Sequence, residues 1–395
     1  MALVESRCSR CPGAPTESRG GVKPSSRRER VRAEATRMLS AGARGNVFPG
    51  GSACISFRDV DGQLQMVEAA GGLLEPLGAP ARVESLYDVA SLTKPVFATL
   101  CFRLAERGAI SLDARVDEML SDAKGTPAGP ATLRQLLSHR GGVAAWGGLY
   151  LDVPSEPGST ATRRWFVSEA LRRPSEAAKG HATYSDLGYM IAAEMVMRAT
   201  KQDLPALLQS EIVGPLGITP TELVYPPAGP VTLDFKKRVA PTERDEWRGV
   251  MVRGEVHDEN CAALGGISAH AGLFATCRAF GVFGRGVLDA TTGRGGGWLG
   301  SATMRDALLP LPNGTHRVGW DSKSEHGSSA GNRMSPAAFG HLGFTGTSIW
   351  CDPVTDIVIV LLTNRVCPGR ANERIKGFRP AFHDAIVHLI TSSGG

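Results

Sequence analysis

Ser91 and Lys94 stand three residues apart at the start of an apolar run, Pro95 to Leu104. On a helix this spacing puts both side chains on one face, one turn apart. A serine hydroxyl is a weak nucleophile until a neighbouring group takes its proton, and a neutral or proton-sharing lysine amine within reach can help do so. A helix start also offers free backbone N–H groups and the positive end of the dipole, which suit a developing oxyanion. The plainer reading is a serine that caps the helix beside an exposed lysine. Ser121-Asp-Ala-Lys124 repeats the spacing, but Gly125, Thr126 and Pro127 follow it, so it reads as a loop.

Other residues bear on the choice. Tyr184-Ser185-Asp186 precedes an apolar helical pattern, and a phenol beside a lysine cation can serve as a general base if its pKa falls. A packing tyrosine followed by Asp186 as a helix N-cap is the bland alternative. Phe339-Gly340-His341-Leu342-Gly343-Phe344-Thr345-Gly346-Thr347 leads into a strand, and small residues at a strand edge let a substrate backbone approach. Gly327-Ser-Ser329-Ala-Gly331 matches the nucleophile-elbow pattern, yet its polar, glycine-rich flanks lack the strand and helix that an elbow needs. His257, Asp258 and Glu259 suggest a metal site only superficially, because three consecutive ligands cannot readily face one ion; no metal and no cofactor are expected.

These residues must be positioned by recognisable elements. Leu92, Val96, Leu100 and Leu104 recur every four residues and Gly108 closes the pattern, so an amphipathic helix follows Ser91. Pro95 is tolerable in its first turn, where the missing N–H had no partner anyway. Ala53 to Arg58 and Gln63 to Val67 read as strands around the Asp61-Gly62 turn, and Arg32 to Ala43 as a short helix. Thr132 caps Leu133 to His139, and further helices run from Leu187 to Arg198 and from Leu204 to Ile212. Strands return at Thr347 to Cys351 and Ile357 to Thr363, and Ala371 to Ile390 reads as a closing helix. The expected fold is α+β: an antiparallel sheet formed by the N- and C-terminal parts and flanked by helices, with a mainly helical lobe inserted. The expected divisions are a disordered basic tail over 1–40, a discontinuous α/β lobe over 41–125 and 300–395, and the helical lobe over 126–299.

Composition excludes some function classes. The 395 residues carry a net charge of +5, and residues 1–40 hold nine of the basic and four of the acidic side chains, so the body is neutral. A neutral body gives no reason to expect nucleic-acid binding. Cys8 and Cys11 lack a second pair at zinc-finger spacing, and the six other cysteines are scattered, several inside apolar runs, which suits reduced buried thiols better than a disulfide framework. No stretch approaches the ~20 apolar residues of a membrane span, and no signal-peptide core is visible, so the expected location is cytoplasmic.

The order Ser91-x-x-Lys94, Tyr184-Ser-Asp186 and His341-x-Gly343 resembles the serine β-lactamase and penicillin-binding protein superfamily, and most of all its class C β-lactamase-like branch of esterases and D-amino-acid peptidases. Asp88 to Lys94, Thr132 to Gly142, Tyr184 to Tyr189, Gly254 to Asn260, Leu264-Gly-Gly, His270 to Phe274 and Phe344 to Ser348 all look like family segments in family order. The resemblance covers roughly residues 45 to 390. It implies a β-lactamase/DD-peptidase-like fold with Ser91 as acylated nucleophile, Lys94 sharing its proton, and Tyr184 as general base. His341 would line the substrate groove, and the backbone N–H groups of Ser91 and Phe344 would form the oxyanion hole. His257 would take a substrate-rim or structural hydrogen-bonding role.

Two departures qualify what the resemblance implies. Asp186 stands where many β-lactamases have asparagine, so no side-chain amide is offered to a substrate carbonyl. Leu342 replaces the hydroxyl residue common between His or Lys and Gly, and a histidine is a weaker carboxylate anchor than a lysine. Both fit an esterase, amidase or D-amino-acid peptidase acting on a small-molecule or peptide substrate better than an efficient β-lactamase. The alternative is a non-catalytic binding or scaffold protein on a penicillin-recognising fold.

Overall fold

A computed structural model describes residues 26–177, 181–227 and 232–392. Its organising element is a six-stranded antiparallel sheet built from both ends of the chain. The N-terminal hairpin, β1 (Gly50–Arg58) and β2 (Leu64–Gly72), joins four C-terminal strands, β3 (Asp321–Ser322), β4 (Phe339–Leu342), β5 (Ser348–Asp352) and β6 (Ile357–Thr363). The order is β2-β1-β6-β5-β4-β3, and the two ends meet where Gly51 to Ser56 of β1 pair with Thr363 to Val358 of β6.

β6 is apolar at nearly every position because both faces of the sheet are covered. Ile357, Ile359 and Leu361 point to one side, where they meet α1 (Arg27–Arg44) and the C-terminal helix Ile375–Thr391 in a core with Val31, Leu39 and Phe382. Val358, Val360 and Leu362 point to the other, against Phe280, Phe283 and Val287 of the helix Cys277–Thr291. Gly281 lets that helix lie close, since a Cβ there would meet Cys54 Sγ at 2.4 Å.

Two expected boundaries move. Residues 27–40 form most of α1 rather than a disordered tail. Ser26 and Glu29 make a reciprocal capping box, and Val31, Ala35 and Leu39 form an apolar stripe at a spacing of four that docks on the sheet. The helix Cys277–Thr291 was expected in the helical lobe but is the second layer of the sheet, because its apolar face matches that of β1 and β6. Cys8 and Cys11 lie outside the described residues; the other six cysteines are free and buried.

The helix after Ser91 is α2 (Thr93–Glu106). It is not amphipathic in use: eleven of its fourteen residues are buried, because sheet-side and helical-lobe elements surround it. The helical lobe is built around α3 (Asp186–Thr200), against which Leu133–Leu137 and Thr160–Arg172 pack. Among the described residues no helix is long and apolar enough to cross a membrane.

Candidate active site

Ser91 sits on a tight turn, Ala90–Leu92, just ahead of α2. Asp88 builds this turn: one carboxylate oxygen accepts the Ala90 N–H at 2.8 Å and the other accepts the His257 N–H at 2.7 Å. Ala90 is held at φ +48°, a left-handed conformation that costs a non-glycine residue free energy and that often marks a functional turn. Ala90, Leu92, Thr93 and Lys94 are all buried while Ser91 stays partly open. The serine is therefore the polar side chain that the turn presents to the cleft.

Lys94 is fully buried, and its ammonium is surrounded by partners. Nζ donates to Ser91 Oγ at 2.9 Å and to the His270 carbonyl at 3.1 Å, and it pairs with Asp186 Oδ1 at 2.7 Å. Burial works against its charge, but Asp186 first and Tyr184 second outweigh burial and push its pKa above the usual lysine range. The amine is thus an ammonium at rest, not the neutral base that the spacing alone suggests. An ammonium that donates to Oγ lowers the cost of forming the alkoxide there.

Asp186 opens α3, yet it is not the cap. Ser185 caps the helix, its Oγ accepting the Gly188 N–H at 2.9 Å and donating to the Ala144 carbonyl at 2.6 Å. Asp186 is free to turn toward Lys94. Tyr184 comes from the same junction, and its hydroxyl reaches Ser91 and Lys94, with Nζ 4.7 Å from the ring centre. Its pKa does not fall as proximity to a cation implies. Burial raises it more than Lys94 lowers it, and Asp186 adds to the rise, so the phenol is neutral at rest.

Three histidines surround the Tyr184 ring, with centroids at 4.5 Å (His139), 5.6 Å (His316) and 6.1 Å (His341). His139 Nδ1 accepts the Ser185 N–H at 2.9 Å, and burial drives its pKa well down. Burial also lowers that of His316. His341, on β4, is lowered to about 3, by burial first and by Lys94 second. It stays neutral at pH 7 and supplies no positive charge to a substrate carboxylate. Sequence reasoning assigned no role to His139 or His316. His139 lay within a family-like segment, and His316 stands in a loop whose pattern gives no signal.

His257, Asp258 and Glu259 diverge, each to a different partner. His257 Nε2 meets Glu243 at 2.6 Å, Asp258 meets His270 Nε2 at 3.0 Å, and Glu259 meets Arg370 at 2.6 Å. Glu243 is held down at about 2: His257 and Arg370 overcome the burial that opposes its charge. Among the described residues no group of three His, Cys, Asp or Glu side chains could hold a metal. His257 stacks at 5.7 Å on Phe344, over which the Arg365 and Arg370 guanidinium groups also lie, at 4.5 and 6.0 Å.

Gly343 brings the strand edge onto the nucleophile turn. A Cβ there would lie 2.4 Å from the Val89 carbonyl and 2.0 Å from Thr347 Oγ1, so only glycine allows the approach. Thr345 and Thr347 hydroxyls then donate to the Asp88 and Val89 carbonyls at 2.7 and 3.0 Å. Ser91, Tyr184, Asp186, His257, Gly343 and Phe344 line one cleft of ≈ 590 Å³ between the sheet and the helical lobe. His341 lies just behind it. The decoys are elsewhere: Ser121 is on an exposed turn, and Ser329 is on a turn with no strand leading in and no helix leading out.

Residues 37–378 match the family model described as Beta-lactamase. A protein of Escherichia coli (strain K12) with the provisional name D-alanyl-D-alanine carboxypeptidase is 29% identical over 332 residues, covering 75% of this chain and 72% of its own. An N-acetylmuramyl-L-alanine amidase of Bacillus subtilis (strain 168) is 28% identical over 322 residues, covering 74% and 71%. Among solved structures, EstCE1, a hydrolase with promiscuous acyltransferase activity, superposes with a TM-score of 0.70 at 17% identity over 91% of this chain and 99% of its own. SurE with D-Leu gives 0.67 at 21% identity over 93% and 77%. These two likenesses concern the fold.

Proposed function

The chain belongs to the Beta-lactamase family and is a serine hydrolase, and from that premise we propose a metal-independent member of the class C-like branch in which Ser91 is acylated. The observation that carries the assignment is the buried ammonium of Lys94, held by Asp186 and donating to Ser91 Oγ. Ser91 attacks the carbonyl of an ester or amide, and the oxyanion settles between the backbone N–H groups of Ser91 and Phe344. Tyr184, neutral at rest, relays the proton: it accepts from Ser91 Oγ as it gives its own to the leaving group. Water then enters by the reverse relay and releases the acid. Asp186, which stands where many β-lactamases have asparagine, is the partner that keeps Lys94 charged.

The reading extends to substrate class. His341 is neutral, and of the cations lining the cleft on the C-terminal side Arg370 is paired with Glu243 and Glu259 and Lys376 with Glu373, while Arg365 and Arg379 hold backbone carbonyls. Trp146 and Phe344, both lining the cleft, are 50% and 49% exposed. The exposed aromatic pair favours esters and amides with apolar groups, including those of D-amino acids. The names of the relatives, a carboxypeptidase, an amidase and a promiscuous acyltransferase, fit that range. The test is a fluorophosphonate followed by peptide mass analysis. The adduct is expected on the peptide containing Ser91 and absent in Ser91→Ala; an adduct on Ser329 would sink the assignment.

A further inference from the structure

The turn from Gly343 to Thr347 is held through its carbonyls. Arg379 Nη2 donates to the Gly343 and Thr347 carbonyls, both at 2.8 Å. Arg365 Nε donates to the Phe344 carbonyl at 2.8 Å, and Thr363 Oγ1 to the Gly346 carbonyl at 2.9 Å. Four of the turn's five carbonyls are thus anchored from the C-terminal helix and β6, and Arg365 and Arg379 themselves line the cleft. The Gly343–Phe344 peptide is trans, so its N–H points opposite to its carbonyl. The Gly343 carbonyl is held by Arg379 and by the Gly346 N–H at 3.1 Å, which leaves the Phe344 N–H on the opposite side of the peptide, where among the described residues no protein acceptor engages it.

We infer that Arg379 is a positioning residue for this reaction: through the Gly343 carbonyl it aims the Phe344 N–H at the oxyanion of the acyl-transfer transition state. The inference rests on the oxyanion hole proposed above and adds the group that sets its geometry. A cation on the carbonyl also polarises the peptide, which makes its N–H a stronger donor. Arg379 is over nine-tenths buried, and its Nε has no partner. Among the described residues no carboxylate pairs with it, and Arg365 repels it. Such a charge is costly to bury. Simple packing of the C-terminal helix against the sheet does not require it, whereas aiming a catalytic amide does.

The experiment compares the wild type with Arg379→Gln, Arg379→Lys and Arg379→Ala. Each is assayed with an activated ester for kcat and KM, with a boronic acid that mimics the tetrahedral anion, and by thermal unfolding. Misaiming one donor is expected to lower kcat by on the order of 10²-fold with KM nearly unchanged. Boronate affinity should fall in parallel, Arg379→Lys should lose less than Arg379→Gln, and added methylguanidinium should restore part of the Arg379→Ala rate. A folded Arg379→Gln with wild-type kcat overturns the inference. Failure of all three variants to fold also overturns it, since the role is then structural. Labelling of wild-type Ser91 by fluorophosphonate separates the two claims: no label sinks both, whereas a labelled Ser91 with an indifferent Arg379 sinks this one alone.

Discussion

Asp186→Asn is the sharpest test of the charge arrangement, because it changes one group and keeps the shape. In the wild type the carboxylate lies 2.7 Å from a lysine that is fully buried. At an effective dielectric of about 20 that contact is worth roughly 6 kcal/mol of gross attraction. The asparagine carbonyl still accepts a hydrogen bond and recovers part of it. A net loss of about 3 kcal/mol follows, in line with the ~3–5 kcal/mol seen when one partner of a buried pair is removed. The same energy lowers the Lys94 pKa by about two, since each unit is 1.36 kcal/mol.

The sign of the pH dependence follows from the direction of the Lys94 shift. Its pKa in the folded wild type lies above the unfolded value, so it contributes stability that is fully present below pH ~10.4 and fades as pH rises further. The unfolded state cancels from the difference in unfolding free energy between wild type and Asp186→Asn, so that difference should be present in full at pH 7, where denaturant unfolding reads it, and shrink only once Lys94 of the variant sheds its proton in alkali. In parallel, the new amide offers a substrate carbonyl the donor that Asp186 lacks, so acylation by a chromogenic cephalosporin should gain relative to that by an ester. A variant as stable as wild type at pH 7, with an unchanged ester-to-lactam ratio, would refute the claim that Asp186 holds Lys94 charged.

Tyr184→Phe keeps the ring against the three histidines but removes the relay, so kcat should fall by roughly 10²–10⁴-fold with little change in unfolding temperature; equal turnover would remove Tyr184 from the mechanism. Because burial lowers the pKa of His139, His316 and His341, replacing His341 by Gln should leave the shape of the turnover profile between pH 6 and 8 unchanged, and loss of a limb there would contradict this protonation scheme. The same shifts make folding acid-sensitive: a depressed folded pKa means stability lost as pH falls, and His341 alone, at about 3 against ~6.5 unfolded, accounts for a few kcal/mol between those values. Gly343→Ala drives a Cβ into the Val89 carbonyl and should cut acylation of Ser91 without abolishing folding, measured as labelling rate against the thermal midpoint.

The sequence carried most of the fold because its strongest signals were local. The unbroken apolar run Ile357 to Thr363 is β6 to the residue, and Thr132 caps the helix assigned to it. What escaped was partnership. The stripe Val31, Ala35 and Leu39 was hidden among arginines, and nothing local says that it docks on the sheet. Helical spacing placed Lys94 beside Ser91, but only the fold brings Asp186 to it from across the cleft. Proximity of a cation to Tyr184 suggested a lowered pKa. The sign reverses because burial, which no spacing reveals, is the larger effect.

That reversal changes how the site must work. At rest Lys94 is an ammonium in contact with Asp186, and Tyr184 is a neutral phenol among three imidazoles of lowered pKa. Lys94 and Tyr184, the two groups that reach Ser91 Oγ, both already hold a proton, so the proton that leaves Oγ cannot be parked on them in advance. It has to move as the carbonyl is attacked, through Tyr184 to the leaving group, while Lys94 holds the developing alkoxide and the backbone donors hold the oxyanion. Such a site should acylate only substrates whose leaving group lies within reach of the phenol. Rate across a series of esters that differ only in leaving-group pKa then becomes diagnostic. A shallow dependence means that the proton arrives with bond breaking; a steep one means that the leaving group departs unaided and that Tyr184 has no relay role.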